Sequence, residues 1–170
     1  MHRVLSLVFI ACLWPFQPSA QESNPYAQAW PRTDFTRKTI DLSEVMSGGP
    51  PKDGIPAISE PGFIPAAQEK RLFDREPVMA VRLTGEKARA YPIRYLMWHE
   101  IVNDSIGTEP VLVTYCPLCD SVIVFDRTTD IGVKEFGVSG LLYNSNVLMY
   151  DRSEKESLWS QMKMEGVSGP

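Results

Sequence analysis

Two cysteines separated by two residues are the most chemically distinctive feature of the sequence. Cys116 and Cys119 stand in the unit Cys-Pro-Leu-Cys. Apolar, β-branched and aromatic runs flank this unit at residues 111–115 and 122–125, and each run predicts a strand. Because Pro117 fixes one backbone angle and lacks an amide proton, it favours a bend between the strands. We therefore predict that both thiols lie on a strand-to-strand corner.

Such a corner is compatible with several kinds of chemistry. Thiol oxidoreductases place a cysteine pair at a helix N-terminus, whose partial positive charge lowers a thiol pKa, but residues 121–125 predict a strand. A zinc ribbon needs a second cysteine pair, and the sequence has none. Thiolate and thioether ligands together favour Cu(I). The alternative without redox or metal chemistry is a structural disulfide, whose small loop offers little entropic stabilisation.

We predict that this corner binds a soft transition metal, copper before zinc, or performs thiol redox work. The predicted metal ligands are Cys116, Cys119, His99 and Met149. His99 is the only histidine after the first 20 residues, and it stands next to a glutamate. The other candidate site residues are Lys52, Asp53, Glu100, Asn103, Tyr143 and Asn144.

Each of these candidates also has a structural interpretation. Lys52 and Asp53 lie in a segment dense in Gly and Pro, residues 47–61, which is either a surface tether or a shaped loop that holds charges towards a site. Asn103 and the aspartate after it are typical of a turn. Tyr143 is more typical of a core. A non-enzymatic interaction module with a structural disulfide is therefore the main alternative function, and a hydrolase or isomerase is a weaker one.

The first 20 residues are typical of a secretory signal, with a basic start, about ten apolar residues and a small residue before a polar segment. Lipid attachment at Cys12 is disfavoured because the residues before it fit poorly. Export would leave 16 basic and 21 acidic residues, a net charge of −5. This charge argues against a nucleic-acid surface, and the rest of the sequence has no apolar stretch of membrane length. A redox or metal-delivery protein is the expected kind of partner.

The remaining pattern predicts a mainly β domain with one or two short helices, at residues 64–73 and after Pro92. Its antiparallel sheets are expected to form a compact barrel-like or sandwich-like domain. We divide the chain into a signal segment, residues 1–20, an N-terminal arm, residues 21–40, and a domain, residues 41–170.

Five strings in the sequence resemble a known family, the domain of unknown function family numbered 3179, of exported or membrane-associated prokaryotic proteins. The strings lie at residues 47–58, 98–104, 114–119, 136–146 and 149–161. The resemblance covers residues 40–170 and names no reaction. It implies a glycine where this chain has Asp120, and it implies a longer C-terminal part, so the domain is expected to be incomplete there.

Overall fold

The computed structural model describes residues 25–169, so the predicted signal segment and Cys12 lie outside the described residues. The strands are β1 Val45–Ser47, β2 Ile58–Ser59, β3 Val78–Val81, β4 Arg89–Pro92, β5 Ile101–Ile106, β6 Glu109–Cys116, β7 Ser121–Asp126, β8 Thr128–Thr129, β9 Gly132–Val133, β10 Phe136–Tyr143, β11 Asn146–Asp151, β12 Leu158–Ser160 and β13 Glu165–Ser168. The helical segments are α1, Ile93–His99, and two 3-10 turns, Leu42–Glu44 and Ala66–Gln68.

Two larger sheets organise the described chain. The first sheet has the strand order β1-β10-β11-β12-β13 and is antiparallel throughout. The second sheet has the order β2-β5-β6-β7, in which only the short β2 runs parallel to its neighbour. Two hairpins, β3-β4 and β8-β9, complete the set. The predicted mainly β, antiparallel fold is confirmed in its sandwich-like form, since the sheets of residues 25–169 form no closed barrel.

An apolar cluster joins the two sheets. Ile101 and Leu112 come from the second sheet, and Phe136, Val138 and Met149 come from the first. All five side chains are buried, so this contact removes a large apolar area from water and fixes the two sheets against each other. A second cluster lies in the first sheet and includes Trp30, which is buried against β11 although it belongs to the predicted N-terminal arm.

The helix predicted after Pro92 is confirmed as α1. The helix predicted at residues 64–73 is wrong, because only the short turn Ala66–Gln68 forms there. Its apolar residues stay in water, with Ile64 at 52% and Phe73 at 75% exposure. Without a surface to cover, a short amphipathic segment has little to stabilise it.

The Gly-Pro loop, residues 47–61, lies against the edge of β10. The amide of Gly48 donates to the carbonyl oxygen of Gly140 at 2.8 Å, and the amide of Asp53 donates to the carbonyl oxygen of Val138 at 2.9 Å. Gly140 has φ +75, and a Cβ atom there would come within 2.1 Å of the carbonyl oxygen of Pro50. Glycine is therefore required at position 140. The close contact between Gly140 and Pro50 lets the loop pack on the sheet beside the cysteines.

Candidate functional site

The cysteine corner, Cys116–Ser121, connects β6 to β7. The amide of Cys119 donates to the carbonyl oxygen of Cys116 at 3.3 Å, which is the hydrogen bond of a β-turn. A β-turn keeps its first and fourth Cα atoms within about 7 Å, and a disulfide spans a Cα separation of about 4.4–6.8 Å. Both thiols are free in the structure, and the turn holds them at a separation suited to reversible pairing.

Asp120 adopts the left-handed backbone conformation that this corner requires. Its φ of 48 lies in the left-handed region, which aspartate tolerates better than most residues. Its carboxylate also accepts a hydrogen bond of 3.0 Å from the hydroxyl of Tyr115. The departure from the glycine that the resemblance implied therefore leaves the turn intact.

The two sulfurs differ sharply in their surroundings. Cys116 is buried, with 1% exposure, whereas Cys119 is exposed. The side-chain amide of Asn146 donates to the Cys119 Sγ atom at 3.0 Å, and the hydroxyl of Ser121 lies 3.1 Å from the same sulfur. Donors placed around a sulfur favour its thiolate form.

This asymmetry appears in the acidities of the two thiols. Burial works against ionisation of Cys119, but hydrogen bonds from Cys116, Ser121 and Asn146 outweigh it and lower the pKa of Cys119. Burial, together with the hydrogen bond to Cys119, raises the pKa of Cys116 to about 11. One thiol of the pair is therefore accessible and more acidic, while the other is shielded and less acidic.

A network of amides and hydroxyls behind Cys119 holds these donors in place. The Oε1 atom of Gln161 accepts from Asn146 and from Ser121, each at 2.7 Å, and its Nε2 atom donates to the hydroxyl of Thr114 at 2.9 Å. Gln161 is fully buried. Asn146 on β11 and Gln161, which follows β12, thus bring polar groups from the first sheet to the sulfur at the corner of the second sheet.

Sequence reasoning missed these network residues. Asn146 and Gln161 lie 27 and 42 positions beyond Cys119, so no local spacing connects them to it. The available signal was their place in the strings that carry the family resemblance, each next to a strand that could pack on the corner.

A small cavity of about 30 Å³ lies on the other side of Cys116. Glu100, Pro50 and Ile55 contribute to its lining, so the Gly-Pro loop reaches the corner through apolar residues. This volume is enough for about one water molecule. Glu100 ends α1 with φ 56, and burial raises its pKa, so a carboxyl group with a perturbed pKa shares a cavity with the shielded thiol.

The predicted metal ligands have different surroundings. The Nδ1 atom of His99 lies 2.8 Å from the carbonyl oxygen of Pro56, and because a carbonyl only accepts, this nitrogen donates. Met149 lies in the apolar cluster between the sheets. Among residues 25–169, no group of three or more His, Cys, Asp and Glu side chains could hold a metal ion. The copper or zinc site stays a prediction.

Lys52 and Asp53 belong to a charged cluster around Tyr150. The Nζ atom of Lys52 pairs with the buried carboxylate of Glu156 and lies 4.6 Å from the centre of the Tyr150 ring. Asp53 accepts from the Tyr150 hydroxyl and pairs with Arg152 at 2.9 Å. These contacts attach the Gly-Pro loop to β11 and the turn after it.

The last three candidates have structural contacts as well. Asn103 lies inside β5, so the predicted turn is wrong there, and its side chain exchanges two hydrogen bonds of 2.8 Å with the backbone of Phe136. Tyr143 packs against the apolar cluster of the first sheet. Asn144 has φ 49 and forms the tight turn between β10 and β11.

A comparison with protein-family models matches residues 52–170 to the family described as "Protein of unknown function (DUF3179)". The chain belongs to this family. The match covers the cysteine corner, Asn146 and Gln161, and it confirms the resemblance seen in the sequence. No curated protein and no solved structure matches the chain. In the part of the chain that the structure describes, no helix is long and apolar enough to span a membrane.

Proposed function

We propose that this member of the DUF3179 family performs thiol–disulfide exchange through Cys116 and Cys119. The observation that carries the proposal is the asymmetry of two free thiols in one turn. Cys119 is exposed and its sulfur accepts a hydrogen bond from Asn146, whereas Cys116 is buried and shares a small cavity with the Gly-Pro loop. An attacking thiol needs access and thiolate character, and a resolving thiol needs proximity and protection.

The proposed reaction begins at Cys119. Its thiolate attacks one sulfur of a protein disulfide, the disulfide bond breaks, and the second substrate sulfur leaves as a thiolate. Cys116 then gives its proton to the substrate thiolate released in the first step, and the new Cys116 thiolate attacks the Cys119 sulfur. The mixed disulfide breaks, and the remaining substrate sulfur leaves as a thiolate that takes a proton from solvent. The products are a Cys116–Cys119 disulfide and a substrate dithiol, so two electrons pass from this domain to the substrate. The reverse sequence oxidises a substrate dithiol.

The donors around Cys119 assist both steps. In the first step, the side-chain amide of Asn146 stabilises the attacking thiolate, and the Ser121 hydroxyl does so when its proton turns from Gln161 to the sulfur. In the reverse direction they stabilise Cys119 as the leaving group, and a better leaving thiolate departs faster. The proposal does not require a helix N-terminus, because side-chain amide and hydroxyl groups provide the stabilisation that the helix dipole gives in other dithiol sites.

We place this activity outside the cytoplasm, which rests on the signal-like first 20 residues. In an oxidising compartment the pair would be kept either as a disulfide or as a dithiol by exchange partners. A redox protein partner is therefore part of the proposal.

The test is a redox titration in buffers of reduced and oxidised glutathione, with thiols trapped by alkylation and counted by mass. We expect the wild-type protein to interconvert reversibly between a dithiol and an internal disulfide, and a Cys116→Ser/Cys119→Ser double variant to show no such change. A pair that stays oxidised in excess reduced glutathione would contradict the proposal and support a structural disulfide. A pair that never oxidises would also contradict it.

Binding of a soft metal ion by the same two sulfurs is the second candidate, and the adjacency of two free thiols favours it. Metal analysis after incubation with Cu(I) or Zn²⁺ distinguishes the candidates. The metal hypothesis predicts about one tightly held ion in the wild-type protein and none in Cys116→Ser. Equal metal content in both proteins would contradict it.

A further inference from the structure

A cavity of about 560 Å³ opens between the two larger sheets, away from the cysteine corner. Leu112 and Phe125 line it from the second sheet, and Phe136, Met149 and Trp159 line it from the first. It therefore continues the apolar cluster that joins the sheets. Its volume lies within the range of about 300–1,000 Å³ typical of small-molecule sites.

The aromatic wall of this cavity is held in a fixed orientation. The indole nitrogen of Trp159 donates to the carboxylate of Asp151 at 2.7 Å, and the Trp159 ring meets the Phe136 ring edge to face with centroids 5.6 Å apart. Because the polar edge of the indole is already engaged, the part of Trp159 that faces the cavity is apolar. A preformed aromatic wall of this kind suits the apolar body of a ligand.

Two buried hydroxyl groups belong to the same lining. Ser157 and Ser168 are each 4% exposed. Within residues 25–169, the Oγ atoms of both serines lack a hydrogen-bond partner. A buried polar group without a partner costs about 1–3 kcal/mol. Each Oγ atom is itself enclosed, so rotation about χ1 is needed to turn it into the cavity, where a ligand hydroxyl or carbonyl group would relieve that cost.

The charges of the lining restrict the ligand further. Asp126, Asp130 and Glu165 are acidic, and Arg37 is the basic residue among the lining residues. The carboxylate of Glu165 is paired with Lys163 at 3.0 Å, which leaves two acidic groups against one basic group. A carboxylate-bearing ligand would meet like charges at the mouth and would lose its hydration in an apolar interior.

We propose that this inter-sheet cavity binds an uncharged, mainly apolar molecule that carries a hydroxyl or carbonyl group at one end. The apolar body lies against Phe136, Met149 and Trp159, and the polar end reaches Ser157 and Ser168. This inference is independent of the thiol chemistry, since no residue of the cysteine corner lines the cavity.

The first experiment uses the full chain and the neutral fluorescent probe N-phenyl-1-naphthylamine. Decanol and decanoate, which share a chain length and differ in charge, compete for the bound probe below their aggregation concentrations. We expect saturable probe binding, with decanol displacing the probe at a concentration about tenfold or more below that of decanoate, equivalent to about 1.4 kcal/mol. Absence of saturable binding, or equal competition by the two molecules, would overturn the proposal.

The second experiment locates the binding with exposed residues, whose substitution leaves the core intact. Ile131→Glu and Met164→Glu place a charge at the lining, and we expect each to weaken probe binding at least about fivefold. The matched controls Val133→Glu and Met162→Glu are equally exposed but do not line the cavity, and they should bind as the wild type does. Equal losses in the two pairs would exclude this cavity.

The third experiment tests the polar end. A Ser157→Ala/Ser168→Ala double variant removes both hydroxyls and should weaken competition by decanol about five- to tenfold. Binding of the probe, which carries neither a hydroxyl nor a carbonyl group, should stay the same. If decanol competes as well against the double variant as against the wild type, the two serines do not hold the polar end and the proposed orientation is wrong.

Discussion

At the scale of single residues, hydrogen bonds to its sulfur, and not a nearby charge, set the acidity of Cys119. Asn146 donates to the sulfur and is itself fixed by Gln161, so its Nδ2 atom keeps its position when the thiol ionises. Cys116 contributes in another way, because its own thiol donates to Cys119 and becomes harder to ionise as a result. The hydrogen bond between the two thiols therefore makes Cys119 more acidic and Cys116 less acidic.

Substitution of Asn146 is expected to shift the ionisation of Cys119. A hydrogen bond to a charged group contributes about 1.5–3 kcal/mol, and one pKa unit corresponds to about 1.4 kcal/mol. Because Asn146→Ala removes a donor from the Cys119 sulfur, we expect it to raise the pKa of Cys119. The measurement is the pH dependence of Cys119 alkylation by iodoacetamide. Asn144→Gly, which keeps the tight turn and touches no thiol, is the control; an unchanged midpoint in Asn146→Ala would show that the amide has no such role.

Glu100 leads to a prediction about stability and pH. Burial raises its pKa, so the folded state holds the Glu100 proton more tightly than the unfolded state. The protonated carboxyl group therefore favours the folded state at low pH, and this contribution to the free energy of unfolding is lost as the pH rises through the folded-state pKa. Glu100→Gln removes this loss. We expect the variant to be more stable than the wild type at pH 7, by about 1 kcal/mol, and to match it near pH 3. Urea unfolding at both values tests this, and an equal difference at both would contradict it.

At the scale of elements, Asn103 joins the two sheets. It lies on β5 and satisfies both backbone groups of Phe136 at the start of β10. Because β1 pairs with β10 only at its far end, residues 141–143, the Asn103 side chain takes the place of a strand partner at Phe136. Such a buried amide helps to fix the position of β10, and with it that of Asn146 on the next strand.

Removal of the Asn103 side chain is expected to cost about 2–4 kcal/mol of unfolding free energy, because Asn103→Ala leaves two buried backbone groups without partners. Urea unfolding provides the measurement. Ser105→Ala, on an exposed position of the same strand, is the control and should change stability by less than about 0.5 kcal/mol. A loss in Asn103→Ala no larger than that of the control would show that the backbone of Phe136 finds other partners.

The sequence predicts some elements well and others poorly. Residues 111–115 and 122–125 are apolar and β-branched, and they form the strands that carry the cysteine corner. The segment at 64–73 has a helical apolar pattern but finds no surface to cover, and Asn103 has turn chemistry but is held in a strand by its contacts with Phe136. In both cases a tertiary contact, or its absence, decided the outcome, and a local pattern does not contain that information.

At the scale of the whole molecule, the Gly-Pro loop connects the charged cluster to the cysteine corner. Lys52 and Asp53 attach one part of the loop to Tyr150 and Glu156, while Pro50 and Ile55 border the cavity beside Cys116. The candidate site itself was predicted only in part. The thiol pair was visible as a motif, whereas its donors come from distant strands and depend on how the sheets pack.

The charged cluster is expected to support stability and not the thiol chemistry. Lys52→Met leaves the buried carboxylate of Glu156 with Arg32 as its remaining partner, so we expect a loss of about 1–3 kcal/mol in unfolding free energy with unchanged alkylation of Cys119. Lys155→Met, at a neighbouring exposed position, is the control. A change in the pH profile of Cys119 in Lys52→Met would contradict this separation.

If Cys119 attacks and Cys116 resolves, the two single-cysteine variants differ in how fast each forms a mixed disulfide, and a trapping measurement compares them. Reduced Cys116→Ser and Cys119→Ser proteins are mixed with glutathione disulfide at pH 7, and the mixed disulfide is followed by mass. We expect Cys116→Ser, which keeps the exposed sulfur, to form the adduct at least about tenfold faster than Cys119→Ser, because the accessible thiol with more thiolate character reacts first. Equal rates, or faster reaction through Cys116, would contradict it.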